Sequence, residues 1–341
     1  MRALRPAFVA LLLFAGPAYG ATLDMQSVND AQWSGARAKQ AQAAPIVIKA
    51  QILLDRARFS PGEIDGKTGE NFKKALQAFA DQAGLTTRGE LNEAVWQQLD
   101  STSSDPVLVE YTISEDDVRG PFVPNIPTRL EEMQGLPSLG YNSAREKIAE
   151  KFHMSEQLLQ TLNPGQKFDR AGDSIVVADV SGELPDRVKA IEIDKSARVL
   201  RVFGPNRMLL AVYPATIGST EKPAPSGRLT VTRVSRNPTY RYNPKYEFKG
   251  VRTDKPFTIK PGPNNPVGVV WIALSAEGYG IHGTPDPGKV GKTESHGCVR
   301  LTNWDASHLA SVVGKGVPVD FVGEERGSST ARAQARRGKS R

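Results

Sequence analysis

One cysteine and four histidines occur in this chain of 341 residues, and two of the histidines lie close to the cysteine. His282 stands in Tyr279-Gly280-Ile281-His282-Gly283-Thr284. His296 and Cys298 share Ser295-His296-Gly297-Cys298-Val299-Arg300. A thiol near neutral pH needs a partner to raise its thiolate fraction, and an imidazole does so by accepting the proton or standing by as imidazolium. Gly297 directly before Cys298 permits a tight turn and close approach of a substrate. Successive backbone N–H groups there can hold the oxyanion of a tetrahedral intermediate, the contribution that normally dominates acyl transfer. The segment from Gly283 to Glu294 is rich in Gly, Pro, Lys and Thr, so it reads as a loop able to curl back and set His282 against the thiol.

The same residues admit other readings. A single cysteine cannot form a disulfide within its own chain, so Cys298 is buried packing, an intermolecular bridge or a thiol kept for chemistry. His282, His296 and Cys298 could also supply three zinc ligands, with Asp286, Glu294 or His308 nearby in sequence. Against zinc, His296 and Cys298 are only two apart, and neither a His-Glu-x-x-His helix nor paired cysteines are present.

The elements that must position these residues follow from the rest of the chain. Its length suggests two or three compact units, and 39% hydrophobic with 24% charged residues describes an ordinary soluble protein. The formal charge of +7 is concentrated at the ends: Arg2 and Arg5 at one, and six basic against two acidic residues over 324–341 at the other. What lies between is close to neutral, so no nucleic-acid partner is expected, and 323–341 reads as a basic disordered tail. Arg2 and Arg5 precede the apolar run 7–15, and Ala18-Tyr19-Gly20 supplies small residues for cleavage. Residues 1–20 therefore read as a secretory signal peptide, with no stable membrane insertion after its removal. Residues 21–44, rich in Ala, Gln and Ser, read as a linker.

Apolar spacing predicts a helix after Pro45, broken by Phe59-Ser60-Pro61-Gly62. A second carries Phe72, Ala75, Leu76 and Phe79 on one stripe, and a third follows a capping box formed by Thr87 and Glu90. Residues 45–100 are thus a three-helix unit. Over 107–180 the pattern is a strand near Val107–Ile113, a polar insertion, a helix near 143–152, a helix opened by Ser155, and a strand over 173–177. From Val188 the chain becomes strand-rich, with short runs over 188–193, 199–203, 208–214, 228–234, 267–274 and 317–322, and one helix capped by Thr302 or Asn303. Helices do not alternate with these strands, so a mostly antiparallel sheet fits better than a doubly wound one.

The run His282-Gly283-Thr284 followed by Ser295-His296-Gly297-Cys298-Val299-Arg300-Leu301 resembles the signature of the YkuD-type L,D-transpeptidase family. Thr216-Ile217-Gly218, the 223–227 loop, Asn237-Pro238 and Asn264-Asn265-Pro266-Val267-Gly268 agree with it. The likeness covers 187–322. Residues 45–100, with Asp65-Gly66 and the helix after Thr68, resemble a peptidoglycan-binding-like module. Tyr111, Ile148-Ala149, Leu158-Leu159 and Asn163-Pro164 within 107–180 follow the order of a LysM-like module, here degenerate.

The resemblance implies a multidomain chain: a mostly antiparallel β catalytic domain with a small helix, preceded by a three-helix module and a small α+β LysM-like region. It implies Cys298 as nucleophile and His282 as general base, with the Gly283 carbonyl orienting the imidazole. Gly297 and His296 border the nucleophile and the oxyanion site, and Arg300 and Ser295 bind substrate. It implies no cofactor or metal. The implied partners are peptidoglycan stem peptides and glycan strands, with a stem amine or a lipoprotein as acceptor, in the periplasm at the cell wall. A hydrolase of the same fold and a wall-binding scaffold remain alternatives.

Overall fold

The computed structural model describes residues 23–35, 42–180, 188–219, 222–246, 251–295 and 297–324. The expected signal peptide, the tail beyond 324 and His296 lie outside the described residues. None of the described helices is long and apolar enough to cross a membrane.

The chain opens with α1 (Met25–Asn29), α2 (Pro45–Arg56), α3 (Glu70–Gln82) and α4 (Glu93–Asp100). Pro45 suits the first position of α2, where its missing N–H has no intrahelical partner to lose. Phe72, Ala75, Leu76 and Phe79 are buried along one side of α3, as their spacing requires. Two expectations change here. The stretch 21–44 contains α1: Ser27 N–H donates to Asp24 Oδ1 at 2.8 Å, Asp24 N–H donates to Ser27 Oγ at 3.0 Å, and Val28 is fully buried. Five helical residues are too few to display a period, so composition alone reads as linker. Thr87 and Glu90 do pair, at 3.1 Å, but only as a turn. The cap of α4 is Asn92, whose Oδ1 accepts from the Val95 N–H at 3.0 Å.

Next come β1 (Leu108–Thr112), α5 (Glu115–Val118), α6 (Leu130–Met133), α7 (Ala144–Lys151), α8 (Glu156–Leu162) and β2 (Ser174–Ala178). β1 and β2 pair antiparallel, with Leu108 opposite Ala178. Ser143 and Ser155 cap α7 and α8 by accepting from the N–H groups of Glu146 and Leu158. The short helices α5 and α6 occupy the polar insertion.

The remaining elements are β3 (Ala190–Asp194), β4 (Val199–Phe203), β5 (Leu209–Pro214), β6 (Thr216–Ile217), β7 (Gly227–Arg236), β8 (Tyr240–Tyr242), β9 (Phe257–Ile259), β10 (Val270–Leu274), β11 (Gly280–His282), β12 (Val299–Arg300), α9 (Asn303–Val312) and β13 (Pro318–Val322). Nine strands form one sheet in the order β5-β4-β3-β13-β7-β10-β11-β12-β6, while β8 and β9 make a separate hairpin. Most pairings are antiparallel, as expected, but β3–β13 and β11–β12 are parallel. β5 and β6 stand at opposite ends of the order, yet only Ala215 separates them in the chain. The sheet therefore curls back on itself into a near-barrel, with Ile191, Leu200, Ile272, Ile281 and Val299 buried inside and α9 packed against it.

The helical region abuts this sheet directly. Phe59 bridges Val212 on the edge strand β5, with Ser60 N–H donating to the Val212 carbonyl and Val212 N–H to the Arg58 carbonyl, each at 2.9 Å. That covers an edge whose unpaired backbone groups would otherwise invite a foreign strand. Val199 and Val212 accordingly belong to the apolar core of the helical region. Nearby, Ser60 Oγ donates to Asp305 Oδ2 at 3.0 Å, and His153 pairs with Asp55 at 2.9 Å while stacking on Trp304. His153 thus ties α2, the segment after α7, and α9 together.

Candidate active site

Register brings the candidate residues to one face. Trp271 stands opposite His282 across β10–β11, and His282 stands opposite Arg300 across β11–β12. Opposed residues share a face, so these three side chains line up while Ile272, Ile281 and Val299 enter the core. Cys298 precedes Arg300 by two residues and joins the same face. Cys298, His282, Trp271, Arg300 and Ser295 all line a single cleft of about 740 Å³. The loop over 283–297 is thus the crossover of a parallel strand pair. It is that parallel register, more than loop curvature, that sets the cysteine segment beside His282.

His282 is buried, and its ring stacks on Trp271 with centroids 5.6 Å apart. Its Nδ1 lies 2.6 Å from the Gly283 carbonyl oxygen. A carbonyl only accepts, so Nδ1 carries the proton and Nε2 is left as the basic nitrogen. Burial, reinforced by the Arg300 charge, pushes the imidazole down to about 3, against a smaller opposing pull from the Gly283 carbonyl. His282 is therefore neutral across the whole neutral range.

Cys298 is half-buried, with its Sγ 3.7 Å from the Gly278 carbonyl oxygen. Burial pushes its thiol up, opposed by a hydrogen bond from the Gly280 backbone and by the charges of Lys222 and Arg300. These environments favour a neutral thiol and a neutral imidazole on the walls of one cleft. Gly297 adopts φ +96°, and a Cβ there would fall 2.9 Å from Tyr279 Cε1. Only glycine meets both demands. Ser295 is buried; its Oγ donates to the Cys298 carbonyl at 2.6 Å and its N–H to the Gly218 carbonyl at 2.9 Å. Those bonds make it a clasp on the cysteine turn as well as part of the cleft wall.

Arg300 has its Nε buried with no hydrogen-bond partner, on a side chain that lines the cleft. Lys222, Arg233 and Arg241 add positive charge to the walls, with Glu277 opposing, and Tyr240, Tyr279 and Trp271 supply aromatic surface. Such a cleft favours an anionic ligand with apolar stretches. Arg233 and Trp271 lie on strands whose spacing is legible, whereas Lys222, Glu277 and Tyr279 stand in loops and Tyr240 and Arg241 in a three-residue strand, so no apolar period marks them as walls of one cleft. The preference for Trp and Tyr near a candidate histidine was the only available signal. Among the described residues no three His, Cys, Asp or Glu side chains converge to hold a metal ion.

Comparison with known proteins agrees with this geometry. Residues 188–320 match the YkuD family model, described as "L,D-transpeptidase catalytic domain". Residues 44–99 match a model described as "Putative peptidoglycan binding domain". The chain is 32% identical over 180 residues to the "Putative L,D-transpeptidase YkuD" of Bacillus licheniformis, an overlap of 52% of this chain and 92% of that protein. It is 31% identical over 176 residues to the Bacillus subtilis protein of the same description, 50% of this chain and 89% of the other. With the "Probable L,D-transpeptidase YbiS" of Escherichia coli K12 it shares 30% identity over 190 residues, 54% of this chain and 62% of that one. With a curled mixed sheet that sets a cysteine and a histidine in one cleft, and with the two Bacillus relatives matched over 92% and 89% of their lengths, the chain belongs to the YkuD L,D-transpeptidase family and carries an adjacent peptidoglycan-binding module.

Proposed function

We propose that the chain is a cysteine acyltransferase acting on tetrapeptide stems of peptidoglycan, with Cys298 as nucleophile and His282 as general base. The observation that carries this reading is the shared cleft: a half-buried thiol and a neutral imidazole with its Nδ1 proton committed to Gly283 both line it. In the first step Cys298 Sγ attacks the carbonyl carbon of the third stem residue while His282 Nε2 takes the thiol proton. The oxyanion is held by backbone N–H groups of the Gly297–Cys298 turn. The C–N bond to the terminal D-alanine then breaks, and His282 returns the proton to the leaving amine. In the second step an acceptor amine attacks the thioester and gives a proton to His282; the C–S bond breaks and the thiol is restored. A neighbouring stem as acceptor yields a 3–3 cross-link, and a lipoprotein side chain yields anchoring.

Arg300 serves to receive a stem carboxylate through a charge-assisted fork, consistent with its unpartnered buried Nε. Ser295 holds the cysteine turn at the substrate's edge. His296, outside the described residues, is assigned to the same turn on sequence alone. The helical unit over 45–100 and the LysM-like region over 107–180 would hold the catalytic domain at 187–322 on the wall, in the periplasm after removal of residues 1–20. Defined tetrapeptide muropeptides incubated with the mature chain, with and without an acceptor amine, test the reaction by mass spectrometry. Amine adducts are expected, and exclusive water-derived products would instead make the chain a carboxypeptidase.

A further inference from the structure

Glu150 lies on α7, outside the sheet that builds the cleft, yet its carboxyl oxygens accept from Asn303 Nδ2 at 3.0 and 3.1 Å. Asn303 opens α9 and is buried. Its Nδ2 also donates to the Pro263 carbonyl at 3.1 Å, and its Oδ1 accepts from the N–H groups of Thr284 at 3.1 Å and Val269 at 3.3 Å. Backbone N–H groups only donate, so these partners settle which end of the amide is oxygen. The fit is close. A Cβ on Gly268 would fall 2.1 Å from Asn303 Oδ1, and one on Gly283 2.3 Å from it.

The Thr284 N–H and the Gly283 carbonyl belong to one planar peptide group. Its oxygen accepts from His282 Nδ1 at 2.6 Å; its N–H is held by Asn303. A continuous set of hydrogen bonds therefore runs from Glu150 through Asn303 and this peptide to His282. Asn303, Thr284 and His282 are buried and Glu150 is half-buried, so these bonds lie mostly away from water, where they are strong and an unmet partner is costly. Glu146, one turn earlier on α7, accepts from Asn264 Nδ2 at 3.1 and 3.2 Å, so the helix carrying Glu150 is docked at two points.

We propose that Glu150 and Asn303 are positioning residues that fix the Gly283–Thr284 peptide, and through it the tautomer and ring orientation of His282. This rests on the reading of His282 as the base for Cys298. Without Glu150, Asn303 Nδ2 keeps only the Pro263 carbonyl, so the amide is held less firmly and the peptide carrying the His282 acceptor gains freedom to shift. The region before the sheet is then part of the active-site geometry and is needed even for small substrates that never touch it.

The test uses the full mature chain and a nitrophenyl ester of an acetylated amino acid, an activated donor that reports acylation without requiring the natural stem. Initial nitrophenolate release is followed from about pH 5 to pH 8, with Cys298→Ala as background. Attack assisted by a neutral imidazole gives a nearly flat profile, whereas unassisted attack by thiolate rises about tenfold per pH unit. Wild type is expected to be flat and His282→Ala steep. Glu150→Ala and Asn303→Ala are expected to turn steep and to slow roughly 10–100-fold near pH 6. Glu150→Gln, whose amide oxygen still accepts from Asn303, is expected to stay flat. Glu150→Met, which fills the same space without an acceptor, is expected to be steep even if Glu150→Ala fails to fold. A folded Glu150→Met with a flat profile and a rate within about twofold of wild type overturns the relay alone. A wild-type profile as steep as that of His282→Ala removes the base, and the relay with it.

Discussion

Trp271 and His282 stack across the β10–β11 pair, with ring centroids 5.6 Å apart and planes 18° from parallel. The indole covers one face of the imidazole and leaves its edge nitrogens uncovered, Nδ1 for the Gly283 carbonyl and Nε2 for the cleft, so it limits ring tilt without competing for either. Trp271→Ala is expected to lower kcat for stem transfer roughly tenfold with a smaller change in KM, because the loss falls on ring placement rather than on substrate contact. Trp271→Phe, which keeps a flat surface, should recover most of that loss. Steady-state kinetics with a soluble tetrapeptide decides it; a change in KM alone would make Trp271 a substrate contact.

The unpartnered Nε of Arg300 gives a second expectation. A guanidinium left with buried donors is costly unless a ligand supplies acceptors, and a carboxylate does so with matching geometry. Arg300→Lys should raise KM about tenfold for stems with a free carboxylate, a difference of about 1.4 kcal/mol. Stems with that carboxyl amidated should bind both proteins almost equally. Equal KM values for the acid stem would remove Arg300 from substrate binding.

Gly297→Ala meets two obstacles, a φ of +96° and a Cβ position 2.9 Å from Tyr279 Cε1. The backbone strain alone costs about 1–2 kcal/mol, and relieving the clash displaces the turn that carries Cys298. Acylation should fall well beyond what the stability loss explains, measured as burst amplitude and rate on folded protein. Combining it with Tyr279→Ala removes the clash but not the φ strain, and should restore only part of the rate.

Buried acids set a pH dependence of stability. Burial first of all pushes Asp305 up to about 7 and Glu150 up to about 8, so each keeps its proton in the fold where the unfolded chain has released it. The native state then binds more protons through that window, and stability falls as pH rises. His282 works the other way. Pushed down to about 3, it refuses a proton that the unfolded chain accepts below about 6.5, so its contribution falls as pH drops. Above about 6.5 His282 is neutral in both states, and the two raised acids carry the dependence. Tm is therefore expected to decline from about pH 6.5 to pH 8, and Glu150→Gln should flatten the decline. A Tm that climbs over that interval would contradict the assignment.

Residue type revealed more of the site than element prediction did. α2, α3, α9 and β3 to β5 are long enough to show their periods, and they form close to where apolar spacing puts them. β11 and β12 are three and two residues long, too short for alternation, yet His282 lies in one and Cys298 immediately before the other. Residue type marked those two as a candidate pair among several readings, and the longer resemblance favoured the catalytic one and supplied the Gly283 contact. The pairing of Glu150 with Asn303 left no local trace: they are 153 residues apart, Glu150 reads alone as an ordinary helix residue, and Asn303 reads only as an alternative to Thr302 in capping α9. The direct packing of the helical region on β5 was hidden for the same reason, since Phe59-Ser60-Pro61-Gly62 looks only like a helix stop.

The most direct measurement is the intact mass of the chain during turnover of a tetrapeptide stem, quenched in acid to preserve thioesters and mapped by peptide fragmentation. The account predicts an adduct on the peptide containing Cys298 equal to the stem less its terminal D-alanine, lost on addition of an acceptor amine and absent from Cys298→Ala. Product formed at an undiminished rate by Cys298→Ala, with no adduct in the wild type, would contradict it.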